Sequence, residues 1–147
     1  VPLDGETDLL VAIDVLEHLD PPAMAELVRV ANGCLKPDGV IVARFPNGDS
    51  PFLGRHQHGD YTHLKPISAA SLRQILLPHG YAVVRAMNPR PLPADFLGKI
   101  RRTIIYAVRN VIEYIIGYLY FGSRVPIDPN ILVVIGRAEP RSAAGSP

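Results

Sequence analysis

Four residues in one short stretch, His56, His58, Asp60 and His63, form the pattern H-x-H-x-D-x-x-H. Imidazoles and carboxylates at this density are the side chains that bind divalent metals. A neutral imidazole is also the side chain best matched to removing a proton near pH 7. The stretch reads as a loop, so its members need not converge, and the same residues can instead brace the loop or hold a substrate. Arg55 and Lys65 flank it and could hold an anionic group such as a sugar acid or phosphate. A second group, Asp14-Val15-Leu16-Glu17-His18, lies far upstream. There His18 could transfer a proton, or Glu17 and His18 could serve only to cap or brace a turn.

These groups must be held by the elements around them. Asp8 to Ile13 is an apolar run without alternation, which predicts a parallel strand covered on both faces. Asp20 followed by two prolines predicts a helix start. Met24, Leu27, Val28, Ala31 and Leu35 then recur at helical spacing. Lys36-Pro37-Asp38-Gly39 reads as a turn, and Val40 to Phe45 as a second strand ended by Pro46-Asn47-Gly48. The polar stretch from Asp49 to Pro66 is long for a connection, a length that favours function or mobility. A helix from Ser68, a third strand over Tyr81 to Met87, and a stiff connector with Pro89, Pro91 and Pro93 follow. Leu97 to Phe121 reads as a long helical segment broken near Gly117, and Ile131 to Ile135 as the last strand. Strands alternating with helices predict an α/β sheet, whose ligands bind at the carboxyl ends of the strands. Asp14 to Asp20 and Pro46 to Pro66 are therefore the loops to watch.

The series Asp14-Val15-Leu16-Glu17-His18, Leu35-Lys36-Pro37-Asp38-Gly39, Phe45-Pro46-Asn47, Asp60-Tyr61-Thr62-His63 and His79-Gly80-Tyr81 resembles, in order and spacing, the second half of the Rossmann-like, class I S-adenosylmethionine-dependent methyltransferases. The resemblance covers about Asp8 to Met87, with Ile131 to Ile135 fitting the last strand. Asp38 stands where the family has glycine. The fold it implies is a partial Rossmann-like methyltransferase sheet, the last four strands, with a helical insertion at about 94–123 before the final one. The domain would run over 1–138, with a disordered Pro/Ser/Ala/Gly-rich tail at 139–147. The resemblance implies S-adenosylmethionine as cofactor, contacted by Asp14, Val15 and Leu16. His63, His58 and His18 are the candidates for proton transfer, and Asn47, Arg55 and Asp60 for substrate contact; of these, His18, Asn47, Asp60 and His63 lie within the motifs that carry the resemblance. The resemblance implies no metal. The family's glycine-rich loop has no counterpart, since no two glycines here stand two residues apart. The opening at Val1 on a polar loop suggests a fragment or a processed product. The first strand would then present a bare apolar edge, a route to homo-oligomers.

Composition limits the alternatives. With 147 residues, 48% hydrophobic and 20% charged, the chain can bury a core, and a net charge of +1 gives no reason to expect nucleic acid as a partner. The single cysteine, Cys34, permits no internal disulfide and fits a cytoplasmic setting and a core position. Ile100, Ile104, Val108, Val111, Ile112, Ile115 and Leu119 form an apolar stripe on the long helical segment, whose first half carries Lys99, Arg101, Arg102 and Arg109. Such a helix can close over a substrate pocket as a lid, or lie peripherally in a membrane interface through 97–121. Arg109, Asn110 and Glu113 interrupt it, which argues against a transmembrane span. The leading expectation is methyl transfer to a small-molecule or glycan acceptor, at oxygen. Its rival is a non-catalytic methyltransferase-like module acting by protein or membrane association. A metal-dependent hydrolase built on the histidine loop is weakest, because the sequence shows no second carboxylate–histidine cluster to complete its site.

Overall fold

The computed structural model describes residues 5–90 and 95–138. The expected tail at 139–147, Pro91 and Pro93 of the connector, and the first four residues lie outside the described residues. The strands are β1 (Thr7–Ile13), β2 (Leu35–Pro46), β3 (Tyr81–Met87) and β4 (Asn130–Arg137). They form one sheet in the order β1-β2-β4-β3. β1 and β2 are parallel, and β4 is antiparallel to both β2 and β3. The expected α/β alternation is therefore present, with the last strand reversed.

Helices α1 (Pro21–Cys34) and α3 (Ala69–Leu76) cover one face. Each starts where its sequence demands. The Asp20 side chain accepts from the amide of Ala23, and Ser68 and Ser71 form a reciprocal capping box. Met24, Val28 and Ala31 of α1 and Leu72 and Leu76 of α3 pack on Ala12, Ile41, Ala43, Phe45, Ile131 and Val133. Gly80, at φ 77°, ends the turn after α3 in a conformation that costs a side-chain-bearing residue more.

Three expectations need correction. β1 is not covered on both faces: Leu10 and Ala12 turn toward the helices, while Leu9, Val11 and Ile13 are 51, 57 and 42% exposed. Lys36 to Gly39 is not a free turn but an excursion within β2. Thr7 pairs with Leu35 and Leu9 with Val40, so four residues stand opposite Asp8 alone. The Lys36 ammonium spans this excursion to Asp8 at 2.8 Å. The long polar loop is not featureless, since it holds a short helix, α2 (Gly54–His58).

The last helix, α4 (Phe96–Ile116), starts on Asp95, whose side chain accepts from the amide of Gly98. It passes at Gly117 into a π-helical turn that reaches Phe121, close to the expected break. Its one buried residue is Glu113, which accepts from Arg124 at 2.7 Å and from the Asn88 side chain. The apolar stripe remains exposed, so α4 is not packed down as a lid over the sheet.

At the end of β2, Gly48 lies under the backbone of Ile67, to whose carbonyl its amide donates at 2.8 Å. A Cβ there would sit 2.8 Å from that carbonyl carbon and oxygen, so the main chain itself would have to move. Gly48→Ala is expected to destabilise the domain by about 1–3 kcal/mol, as overpacking does. Thermal or urea melting against the parent chain measures it, and an unchanged midpoint would refute the close approach.

Candidate functional site

The carboxyl ends of the parallel strands β1 and β2 lie side by side, where ligands of such sheets bind. Asp14 leaves β1 at φ 54°, in the left-handed region that residues with a Cβ seldom enter. Its amide donates to the Arg44 carbonyl at 2.8 Å, and its carboxylate takes a two-pronged contact from the Arg44 guanidinium. That hydrogen bonding raises the Arg44 pKa. The kink starts a 3-10 turn, Leu16–His18, that sends Leu16 into the core and Glu17 beneath the surface. Val15 stays 39% exposed, whereas Leu16 is 1% exposed. Of the three expected cofactor contacts, Asp14 and Val15 offer side chains, and Leu16 only its backbone.

The 59–68 loop folds back on this turn. Leu64 donates its amide to the Glu17 carbonyl at 2.9 Å. Asp60 accepts from the Thr62 amide at 2.9 Å and hydroxyl at 2.6 Å. These bonds from Thr62 lower the Asp60 pKa. With its proton committed to Asp60, the Thr62 hydroxyl accepts from His18 Nδ1 at 3.0 Å, and the Thr62 carbonyl lies 3.3 Å from the same nitrogen. His63 Nδ1 is 3.2 Å from the Gln57 carbonyl. A carbonyl only accepts, so both imidazoles carry a proton on Nδ1, and in the neutral ring Nε2 is then the nitrogen with the lone pair. The two rings meet edge to face, with centroids 4.8 Å apart. Beneath them His63 Nε2 is 3.9 Å from Glu17 Oε1, and Glu17 Oε2 has no hydrogen-bond partner. Burial raises the Glu17 pKa, against a smaller lowering by its backbone hydrogen bond.

The structure thus gathers His18, Asp60 and His63. It does not gather the rest of H-x-H-x-D-x-x-H. His56 and His58 are exposed on α2, and Arg55 is exposed beside them, outside this group. Asn47, expected to touch substrate, is fully buried and spent on the fold. Its Nδ2 donates to the Pro126 and Asp128 carbonyls at 2.9 and 3.1 Å, and its Oδ1 accepts from the Asp49 amide at 3.1 Å.

A groove of about 500 Å³ escaped the sequence reading. It opens on the bare sheet face beside Ile13 and Arg44, with Arg90, Tyr106, Arg109 and Asp128 around it. The guanidinium carbons of Arg90, Arg102 and Arg109 lie 5.4, 5.9 and 5.8 Å from the Tyr106 ring centre. Arg109 pairs with Asp128 at 3.2 Å. The groove's residues come from five separate segments, so no local pattern announces them.

A family model described as a methyltransferase domain matches residues 2–86. No curated protein matches the chain. Among solved structures, the chain is similar to an S-adenosylmethionine-dependent methyltransferase from Archaeoglobus fulgidus, at 23% identity and TM-score 0.57, over 88% of this chain and 58% of that one. It is similar to mitomycin 7-O-methyltransferase at 15% identity and TM-score 0.56, over 89% of this chain and 30% of that one. It is also similar to an O-methyltransferase of neocarzinostatin biosynthesis, solved with S-adenosylmethionine and 2-hydroxy-5-methyl naphthoic acid. There the identity is 19% and the TM-score 0.53, over 93% of this chain and 30% of that one. The chain therefore spans less than two thirds of the length of each. These likenesses show the fold, and the partial Rossmann-like methyltransferase sheet expected from the sequence is borne out.

Burial raises the Asp128 pKa from its ordinary 3.8 despite the lowering by Arg109. A carboxyl whose folded pKa is raised favours the protonated folded form. Its contribution to stability is therefore lost as pH rises from the ordinary Asp range through the raised value. Asp128→Asn should flatten that part of the stability–pH profile and leave more stability at neutral pH relative to acid. Urea titrations at stepped pH test this, and an unchanged slope would count against it.

Proposed function

Because the chain belongs to the methyltransferase domain family, whose methyl donor is S-adenosylmethionine, we propose that it supplies the acceptor-facing half of a methyltransferase acting on oxygen of a small molecule or glycan. The observation that carries this reading is the placement of His18 beside the end of β1, with its Nδ1 held against the Thr62 hydroxyl and carbonyl oxygens. Displacement at the activated methyl group needs alignment and exclusion of water. A hydroxyl acceptor also needs a group to take its proton. His18, reachable from solvent, fits that task, and His63 behind it is more enclosed. Asp14, Val15 and the backbone of Leu16 would meet the methionine end of the cofactor. The arginine-lined groove beside Ile13 would take an acidic group on the acceptor. His58 and Arg55, exposed on α2, would act only through the outer rim of the site. The cytoplasm is the compartment that fits this cofactor and a lone thiol.

The test takes the full-length gene product and follows labelled methyl transfer from S-adenosylmethionine to a panel of hydroxyl acceptors. His18→Ala is expected to lower kcat about 10²-fold or more, while S-adenosylmethionine affinity by calorimetry changes less than about threefold. Equal activity of parent and variant would sink the assignment of His18. Transfer only to nitrogen or carbon acceptors would sink the oxygen chemistry.

A second reading, association without catalysis, has its own observation. Phe96–Phe121 is long and apolar enough to cross a membrane by length and composition, and its 18-residue window is 11% buried. A span would tear Glu113 from Arg124 and Asn88, so a helix lying in the interface fits better. Ile100, Ile104, Val108 and Val111 would enter the lipid, with Lys99 and Arg101 near anionic headgroups. The bare edge of β1 offers self-association as a competing route. Cosedimentation with vesicles of anionic and of neutral phospholipid separates the two. Binding to anionic vesicles should fall at least tenfold in Ile104→Glu/Val108→Glu. Pelleting that is independent of lipid would point to the sheet edge instead.

A further inference from the structure

The sequence offers four potential ligands on one loop, and folding disperses them. It assembles a different set instead. One ligand atom each from Glu17, His18 and His63 lie within 4.8 Å of one another. Glu17 and His18 supply the second carboxylate–histidine cluster that the histidine loop lacks by itself.

Three features make this more than proximity. Both Nδ1 protons are committed to fixed acceptors, the Thr62 oxygens and the Gln57 carbonyl. That is the outer-shell arrangement that turns a histidine's Nε2 into a metal ligand and sets its ring direction. Glu17 is 3% exposed, and one of its carboxylate oxygens has no partner. A buried carboxylate left half-satisfied is costly, and a cation beside it removes that cost. Asp14, the nearest other acid on this turn, is already held by Arg44 and leaves the position to Glu17.

We propose that Glu17, His18 and His63 form a binding site for one divalent transition-metal ion, through one carboxylate oxygen and two imidazole nitrogens. Two nitrogens and one oxygen suit Zn²⁺ or Fe²⁺ better than Mg²⁺ or Ca²⁺, which prefer oxygen throughout. Ligands of one such ion stand about 3–3.5 Å apart, given bonds of about 2.0–2.2 Å. The triad would thus close by roughly 1 Å, with His18 on the accessible side free to make that movement. Three protein ligands leave positions open. Resting on the methyltransferase reading, an acceptor hydroxyl would occupy one of them and lose its proton more readily there, with His18 then serving as a ligand and not itself as the proton acceptor.

The test needs neither cofactor nor acceptor, so its failure leaves the methyl-transfer reading standing, and failure of that reading leaves the site testable. The full chain, stripped with chelator, is titrated with Zn²⁺ against a chromophoric competitor, and with Co²⁺ while visible ligand-field absorption is followed. One ion per chain is expected. His18→Ala, which removes an accessible side chain, should weaken Zn²⁺ at least tenfold with unchanged circular dichroism. Glu17→Gln should do the same and alter the Co²⁺ spectrum. His56→Ala on α2 should change neither. Parent affinity no tighter than that of His18→Ala would overturn the proposal. An equal loss in His56→Ala would also overturn it, by assigning the ion to surface histidines.

Discussion

Asn47 stands where β2 ends, fully buried, and its side chain makes three hydrogen bonds to two backbone segments. Two bonds go to Pro126 and Asp128 before β4, and one comes from Asp49 at the start of the long loop. Next to it Gly48 and Ile67 lock the far end of that loop against the strand. Ser50 adds a bond to the Ile127 carbonyl at 2.6 Å. The loop is pinned at both ends within a few residues, so its middle must arch over the end of β1. That arch carries Thr62 and His63 to the 3-10 turn holding Glu17 and His18. The same bracket fixes Asp128, and through it Arg109, at the mouth of the groove. A short amide side chain does this because it offers donors and an acceptor in one plane at a point where water is excluded.

The regular elements were legible because their signals are local. Asp20 and Ser68 announce helix starts, apolar spacing marks α1 and α3, and Gly80 marks a stop. The site was legible in part, through Asp14 to His18 and through Asp60 and His63, where resemblance supplied the order. What stayed hidden is non-local. Nothing within Leu9, Val11 and Ile13 distinguishes a strand covered on both faces from one covered on a single face, because exposure depends on what lies across the sheet. The excursion at Lys36 to Gly39 reads as a turn because its composition is that of a turn, and only the pairing of β1 with Val40 shows that the strand resumes. Asn47 looks like a ligand residue at a strand end, and a bracket needs the same chemistry.

The two polar centres at this end of the sheet carry opposite character. On one side the buried Glu17 and two imidazole lone pairs favour a cation or a proton. On the other, Arg44, Arg90 and Arg109 surround a groove, where Asp14 pairs with Arg44, Asp128 pairs with Arg109, and Arg90 lies over the Tyr106 ring. An acceptor with a hydroxyl at one end and an acidic group at the other would be oriented by this asymmetry before any close contact forms. Orientation is the larger share of what a methyl-transferring protein must provide, because the leaving group needs no acid.

The attachment of α4 follows from the same economy of polar contacts. A helix with a broad apolar stripe ordinarily turns it toward the core, yet here its buried residue is Glu113. The carboxylate is fixed by Arg124 and by Asn88, and Asn88 Oδ1 in turn accepts from the Asp128 amide at 3.1 Å. Ile104 stands about half a turn of helix away from Glu113, so rolling the helix to bury Ile104 and Val108 would break these bonds, turn the carboxylate out to water and strip Arg124 and Asn88 of their partner. The clasp therefore sets the helix's rotation and leaves the stripe outward. A second surface, whether lipid or protein, can cover the stripe without disturbing the clasp.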